Sequence, residues 1–197
     1  MSDVAITEIP VGDLISQIPG PEDGFPSPEL AEHWRLRGCG IACVRMVLES
    51  FGTDPGPAWP LIDEGLQAGS YCDRGWIHQG LVDMAQRRGI TGRAQRGTTA
   101  DVAASITRGH LVIASVTVCF RGGQPHPSRA GTYQPGGHLV LVTGAAIDTG
   151  GAPTALRTHH PSATEKNNWP NHWVDHDTFA QSFSGAYILF HPNHTAR

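Results

Sequence analysis

The chain has 197 residues, which is the size of one domain with a sizeable core, and 39% of them are hydrophobic. Its net charge of −4, without a basic stripe, argues against binding to nucleic acid or to an anionic membrane. No apolar run is long enough to span a membrane, and the first residues do not resemble a secretory signal. Four cysteines without such a signal are typical of reduced thiols, so we expect a cytoplasmic protein.

The sequence predicts three parts. Residues 1–30 form an arm, in which 4–9 make a short edge strand and 11–18 a short helix or a second strand. A proline- and glycine-rich loop, which cannot stay helical, ends the arm. We expect the main domain over 31–192 and a short tail over 193–197.

The segment 37–52 predicts a helix that is apolar on most faces. Placed at 100° per residue, only Arg45 and Glu49 form a polar stripe, and their spacing allows them to pair. A helix with so little polar surface is buried in the middle of a domain. The further helices expected after it are 59–67, 75–88 with Asp73 as its cap, and one that begins at Thr98 or Thr99 and ends at Gly109.

The second half of the chain changes from helical to strand patterns. Its apolar and β-branched runs predict strands over 110–120, 138–144, 155–159 and 186–190. The connections expected between them are long loops over 121–136 and 160–174 and a short helix over 175–183. Helices first and strands second favour an α+β fold, in which the helices pack against an antiparallel sheet.

Cys39 lies between two glycines at the start of the 37–52 helix. A helix N-terminus carries partial positive charge and unpaired N–H groups, so we expect the pKa of this thiol to be lowered toward the nucleophilic thiolate. Cys43, one turn further on, and Cys119, in a predicted strand, are expected in the core, whereas Cys72 lies on a loop. Cys39 is therefore the candidate nucleophile.

A cysteine nucleophile needs a base held on a rigid element. His138 follows two glycines at the start of a predicted buried strand, which places its ring at the rim of the sheet. A cysteine on a helix, followed much later by a histidine on a strand, is the chain order of papain-like enzymes. The sequence therefore predicts a Cys39–His138 pair.

The motifs around both residues resemble those of the bacteriocin-processing (double-glycine leader) peptidases, a family of the papain-like superfamily. The nucleophile motif consists of Cys39-Gly40, Ala42, Met46 and Phe51-Gly52. The base motif consists of Gly137-His138-Leu139 and Gly144. The resemblance extends over roughly 34–190. It implies a papain-like α+β fold, with a buried nucleophile helix packed on a C-terminal antiparallel sheet, and acyl chemistry at a cysteine.

Two positions depart from the family pattern. The relatives carry Asp or Asn before a proline to orient the base, and His160 stands at that place in this chain. His160 is therefore the expected third catalytic residue, with four alternatives: Asp148, Asn167, Asn168 and Asp175. The relatives also place a glutamine about two helical turns before the cysteine as an oxyanion-hole donor. The nearest equivalent here is His33, and the Cys39 backbone N–H is the other expected donor.

Aromatic and basic side chains near this pair are expected to contact the substrate. The loop over 121–136 directly precedes the base and predicts a lid. The expected contact residues are Trp34, which also packs beside the nucleophile helix, Arg121, Tyr133 and Trp169.

These features predict cysteine-dependent acyl chemistry on a dedicated peptide or acyl substrate, as in bacterial peptide or natural-product maturation. Water as the acceptor makes a peptidase, whereas an amine makes an acyltransferase or cyclase, for example one acting on a carrier thioester. Two alternatives are a catalytically inert papain-like binding module and a metal binder. The histidines of the second alternative are His159, His160, His172 and His176. We expect no cofactor, no native metal, and no nucleic-acid or membrane partner.

Overall fold

The computed structural model describes residues 4–117 and 137–191, which fold into helices packed on an antiparallel sheet. The helices are α1 Pro28–Arg35, α2 Cys39–Ser50, α3 Ala58–Gln67, α4 His78–Gln86, α5 Thr99–Thr107 and α6 His176–Ser182. The strands are β1 Val4–Glu8, β2 Tyr71–Cys72, β3 Gly75–Trp76, β4 Gly92–Arg96, β5 Leu111–Thr117, β6 Gly137–Asp148, β7 Pro153–His160, β8 Trp169–Asp175 and β9 Phe183–Phe190. The predicted α+β class is confirmed.

The main sheet has the strand order β4-β9-β5-β6-β7-β8, and every neighbouring pair is antiparallel. The long strand β6 organises it, because its first half pairs with β5, its second half pairs with β1, and β7 runs beside it. His138 is the second residue of β6 and pairs with Val116 near the end of β5. This register puts His138 at the rim of the sheet, as predicted.

Both faces of the sheet are covered, which explains why β5 reads as a continuous apolar run. Leu111 and Ile113 of β5 belong to the core cluster built on α2, α3 and α4. Val112, Ala114 and Val116 belong to the cluster that includes α5 and α6. Successive side chains of a strand point to opposite faces, so the two clusters lie on the two sides of β5. The nucleophile helix α2 is thereby buried against the sheet.

The helix expected over 75–88 begins later than predicted. Gly75 and Trp76 instead form β3, which pairs with β2, and α4 starts after an N-cap at Ile77 rather than at Asp73. The indole of Trp76 is the physical reason, because its Nε1 donates to the Arg37 carbonyl at 2.8 Å and the residue is only 8% exposed. Burial of the ring against the nucleophile helix outweighs the helical pattern.

Two strands that the pattern did not predict lie at the edges of the sheet. β8 occupies the second half of the loop expected over 160–174, and β4 is short and polar. An edge strand tolerates such sequences, including Pro170, because one of its sides needs no partner. In the arm, β1 confirms the predicted edge strand, whereas residues 11–18 form neither a helix nor a strand.

The helical spacing suggests that Arg45 of α2 pairs with Glu49. In the structure Arg45 pairs instead with a residue of the arm. Its Nη1 donates to Asp23 Oδ1 at 2.8 Å, and the two side chains are 12% and 5% exposed. Asp23 also accepts from the backbone N–H groups of Gly20 and Ala58. This buried carboxylate therefore joins the arm, α2 and the start of α3.

Replacing Asp23 should destabilise the fold strongly. Asp23→Ala is expected to lower the free energy of unfolding by about 3–5 kcal/mol, because it leaves Arg45 as an unpaired buried charge. Urea denaturation followed by tryptophan fluorescence measures the change. Glu32→Ala is the matched control, since Glu32 pairs with Arg35 at the surface and is 63% exposed, so its loss should change the stability far less than Asp23→Ala does. Equally small losses for both variants would contradict the structural role of Asp23.

Candidate active site

Cys39 is the first residue of α2 and borders two cavities. One has a volume of about 300 Å³ and the other of about 250 Å³. His138 and Gly137 border both cavities as well, so the structure brings the two predicted catalytic residues to one place. The predicted pair thus belongs to the walls of both cavities.

Close packing requires the glycine at position 40 and leaves little space for a side chain at Gly38. A Cβ on Gly40 would lie 2.8 Å from the ring of Trp76, which is closer than any such contact allows. A Cβ on Gly38 would lie 3.3 Å from Cβ of Gln17 and 3.2 Å from the Trp34 carbonyl. The two glycines let these neighbours close around the start of α2, and only a small part of Cys39, 9%, stays exposed.

Burial raises the pKa of the Cys39 thiol above its ordinary value. Hydrogen bonds from the backbone of Leu139, Gly40 and Cys39 itself act in the opposite direction without offsetting the burial. The structure therefore contradicts the expected lowering of this pKa at the helix N-terminus. The cause is the low polarity of the surroundings, which penalises the charged form more than the helix end favours it.

His138 is held neutral by the same burial, which lowers the pKa of its imidazole to about 3, with the nearby His160 as the second cause. The backbone of Pro161 hydrogen-bonds with the ring and opposes this shift. The Nε2 atom is fully buried and has no hydrogen-bond partner among the described residues. We therefore assign the Pro161 bond to Nδ1–H, which leaves Nε2 as a free proton acceptor.

His160 lies beside His138, where the third catalytic residue was predicted. The two ring centroids are 4.8 Å apart, with the planes at 70°. The His160 Nδ1 donates to the backbone carbonyl of Asn167 at 2.6 Å, and the residue is only 3% exposed. The Pro161 backbone hydrogen-bonds with the His138 ring, and His160 packs edge to face against that ring, where a charge on His160 lowers the pKa of His138.

Three of the four alternatives for the third role form hydrogen bonds away from the His138 ring. Asp148 accepts from the backbone N–H groups of the turn that follows β6. Asp175 caps α6 by accepting from Thr178. The Asn168 side chain accepts from the Ser162 N–H and donates to Ser16. Of the four candidates only Asn167 borders a cavity with Cys39 and His138, and it holds His160 through its backbone.

The expected oxyanion donor His33 does not reach Cys39. It is an exposed residue of α1 and borders a different depression, next to Trp34 and Tyr71. The side chain that does reach the smaller cavity is Gln17, which is 8% exposed and donates from Nε2 to the Arg35 carbonyl at 2.8 Å. Sequence reasoning missed Gln17 because it comes from the arm, well before the nucleophile, and no local spacing connects the two.

Of the residues predicted to contact the substrate, the described part of the chain includes Trp34 and Trp169. Trp34 is 3% exposed and packs against Tyr71 and Trp76, with ring centroids 5.0 and 5.7 Å away, so it is a core residue rather than a contact surface. Trp169 packs behind His160, at 5.9 Å between ring centroids. Arg121, Tyr133 and the whole predicted lid over 121–136 lie outside the described residues, as does Cys119.

The remaining cysteines and histidines do not form a second centre in residues 4–117 and 137–191. Cys43 is fully buried, and Cys72 is exposed on the β2–β3 hairpin. Within these ranges, no group of three or more His, Cys, Asp or Glu side chains is placed to hold a metal ion. No helix found there has the length and apolar character needed to cross a bilayer.

Solved structures with the same fold are peptidase domains. The peptidase domain of Streptococcus ComA, an ABC transporter involved in quorum sensing, matches with a TM-score of 0.53 and 16% identity, over 80% of this chain and 93% of its own. A double-glycine-motif protease from an AMS/PCAT transporter, solved with a leader peptide, matches with a TM-score of 0.53 and 16% identity, over 95% of both chains. A C39-like peptidase from Bacillus anthracis matches with a TM-score of 0.53 and 15% identity, over 91% of this chain and 98% of its own.

No family model and no curated sequence matches this chain. At identities this low, the structural likeness concerns the fold. The chain therefore has the papain-like fold of the bacteriocin-processing peptidase domains, and the resemblance predicted from the motifs around Cys39 and His138 is confirmed at that level.

An acidic residue in place of His160 should make the base more basic. A carboxylate beside an imidazole raises its pKa by about 1–3 pH units, so His160→Asp is expected to raise the pKa of His138 from about 3 by that amount. NMR titration of the histidine ring signals measures this. His172→Asp, at an exposed position of β8, is the matched control and should leave His138 unchanged. An unchanged His138 in the His160 variant would show that position 160 does not act on the base.

Proposed function

We propose that this protein is a cysteine-dependent acyl enzyme, in which Cys39 is the nucleophile and His138 the general base. One observation carries the proposal: the buried Nε2 of His138 is an unused proton acceptor beside the two cavities that Cys39 borders. An unpaired buried nitrogen costs free energy, of about 1–3 kcal/mol. Such a cost is typical of a group that finds its partner only during a reaction.

The resting pair is a neutral thiol and a neutral imidazole, so the proton moves during the attack. The Cys39 sulfur forms a bond to the substrate carbonyl carbon while its proton passes to Nε2 of His138. The tetrahedral oxyanion then collapses, the leaving group takes that proton, and an acyl-enzyme thioester remains. Water, deprotonated by the same imidazole, releases the acid and restores the thiol.

Two donors are proposed for the oxyanion. The Cys39 backbone N–H is the first, at the open N-terminus of α2. The Gln17 side chain is the second, in the place first expected for His33. Its Nε2 carries two hydrogens, and one of them donates to the Arg35 carbonyl, so the other is available to the cavity that Gln17 shares with Cys39.

A peptide is the substrate class we propose. Both cavities have Cys39 and His138 in their walls, so each offers space for a substrate group next to the bond that Cys39 would attack. One structural neighbour was solved with a leader peptide, which supports a peptide substrate by analogy. If an amine rather than water takes the acyl group from the thioester, the same two residues make an acyltransferase or cyclase.

The proposal is tested with p-nitrophenyl acetate, an activated ester that reports acylation without knowledge of the natural substrate. Cys39→Ala should lower release of p-nitrophenol to the background, and His138→Ala should lower it by about 10²–10⁴-fold because the general base is lost. Cys43→Ala removes a buried thiol one turn away and should retain the activity. Mass spectrometry of the quenched reaction should locate the acetyl group on Cys39.

An inert binding module would behave differently. Its Cys39→Ala variant would release p-nitrophenol as fast as the unmodified protein, and no adduct would form on Cys39. An adduct on the exposed Cys72 with none on Cys39 would likewise contradict the proposed nucleophile.

A further inference from the structure

We infer that the substrate carries an anionic group, a carboxylate or a phosphate, which binds to Arg37 and Arg74 in the larger of the two cavities beside Cys39. This cavity, called the arginine cavity below, has a volume of about 300 Å³ and is bordered by both arginines and by Cys39 and His138. The inference rests on the proposed function, because it assigns part of the substrate to one side of the same catalytic pair.

The two cavities differ in charge. Arg37, Arg74 and Asp73 border the arginine cavity. The smaller cavity is bordered, apart from the catalytic residues, by uncharged groups: Gln17, Leu36, Ser162, Ala163, Thr164 and Asn167. A substrate lying across Cys39 therefore meets positive side chains on one side only, so its charge decides which end enters which cavity.

The guanidinium of Arg37 is held in place without being neutralised. Its Nη1 donates to the His33 carbonyl at 2.9 Å, and its charge lies close enough to Tyr71 to act on the pKa of that hydroxyl, which burial raises. A guanidinium has five N–H donors, so donors remain for a ligand. Among residues 4–117 and 137–191, neither Arg37 nor Arg74 forms an ion pair, in contrast to the arginines at 35, 45, 87, 88 and 157.

The charges around the arginine cavity do not cancel. Asp73 is its one acidic wall residue within the described chain, so the two arginines leave an excess of one positive charge. His78 also borders this cavity, but burial, with the Arg96 charge as second cause, lowers the pKa of His78 and keeps its ring neutral near pH 7. The whole chain has a net charge of −4, so the positive excess beside Cys39 is a local property of this cavity.

The size and chemistry of the arginine cavity limit the group that fits. A volume of about 300 Å³ lies at the lower end of ligand pockets, so it accepts a group of side-chain size rather than a large ligand. Arginine forks bind carboxylates and phosphates through paired hydrogen bonds. An acidic or phosphorylated residue close to the reactive carbonyl of the substrate satisfies both conditions.

The test compares two alkylating reagents that differ by one charge. Iodoacetate and iodoacetamide both form a bond from the Cys39 sulfur to carbon and release iodide, but only iodoacetate is anionic. The measured quantity is the iodoacetate rate divided by the iodoacetamide rate, compared with the same ratio for glutathione. Each nearby arginine should raise this ratio about threefold or more. Arg37→Gln and Arg74→Gln should each lower this ratio, and the double variant should bring it close to the glutathione value.

The ratio separates this inference from the proposed function. Both reagents need the same thiolate, so a change in the Cys39 pKa or a loss of catalysis alters both rates alike. If the protein is not acylated in the ester assay but its alkylation ratio is raised, the proposed enzymatic function is wrong and the anion site at Arg37 and Arg74 is retained. Arg93→Gln and Arg108→Gln, at a cavity away from Cys39, are the charge-matched controls and should leave the ratio unchanged. A ratio in the unmodified protein equal to that of glutathione would overturn the inference.

A protection experiment distinguishes the two anions. N-acetylglutamate and N-acetyl-O-phosphoserine are each added while Cys39 is labelled with neutral iodoacetamide. The compound that slows labelling in the unmodified protein, but not in the Arg37→Gln/Arg74→Gln variant, identifies the preferred anion. Equal labelling with and without both compounds would contradict a binding role for the two arginines.

Discussion

The shared burial of Cys39 and His138 is the constraint that sets the protonation states of both groups. The start of α2 packs against the rim of β6, where the Leu139 backbone lies close enough to lower the pKa of the Cys39 thiol against the effect of burial. Trp76 closes the other side and tolerates no side chain at Gly40. This packing removes both groups from water, raises the pKa of the thiol and lowers that of the imidazole. The neutral pair follows from the fold itself rather than from either residue alone.

A neutral pair changes what the surrounding groups contribute. A carboxylate next to the base would favour an imidazolium and hence a resting thiolate. His160 has the opposite effect, because any charge on it lowers the pKa of His138. Its ring instead packs against His138 and is fixed by the Asn167 carbonyl. Burial therefore keeps the Cys39 thiol protonated beside a neutral imidazole.

The sequence predicts those features that local patterns determine. The apolar run of β5 identifies a strand of the sheet, and the glycines around Cys39 and the Gly137-His138 pair point to the candidate nucleophile and the candidate base. The missed features all depend on distant contacts. Trp76 leaves its predicted helix because a ring from another segment covers it, and Gln17 reaches the site from the arm. The pKa of Cys39 was misjudged for the same reason, since burial is a property of the folded chain.

The most direct test of the account is the rate at which iodoacetamide alkylates Cys39 as a function of pH, with and without His138. For a neutral pair we expect one transition, with a midpoint above the ordinary thiol pKa of about 8.5, and a similar midpoint in His138→Ala. We expect no reactive form at acid pH, because the pKa of His138 is held near 3. A plateau of thiolate reactivity between about pH 4 and 8 that disappears in His138→Ala would show a resting thiolate–imidazolium ion pair and would contradict the neutral pair.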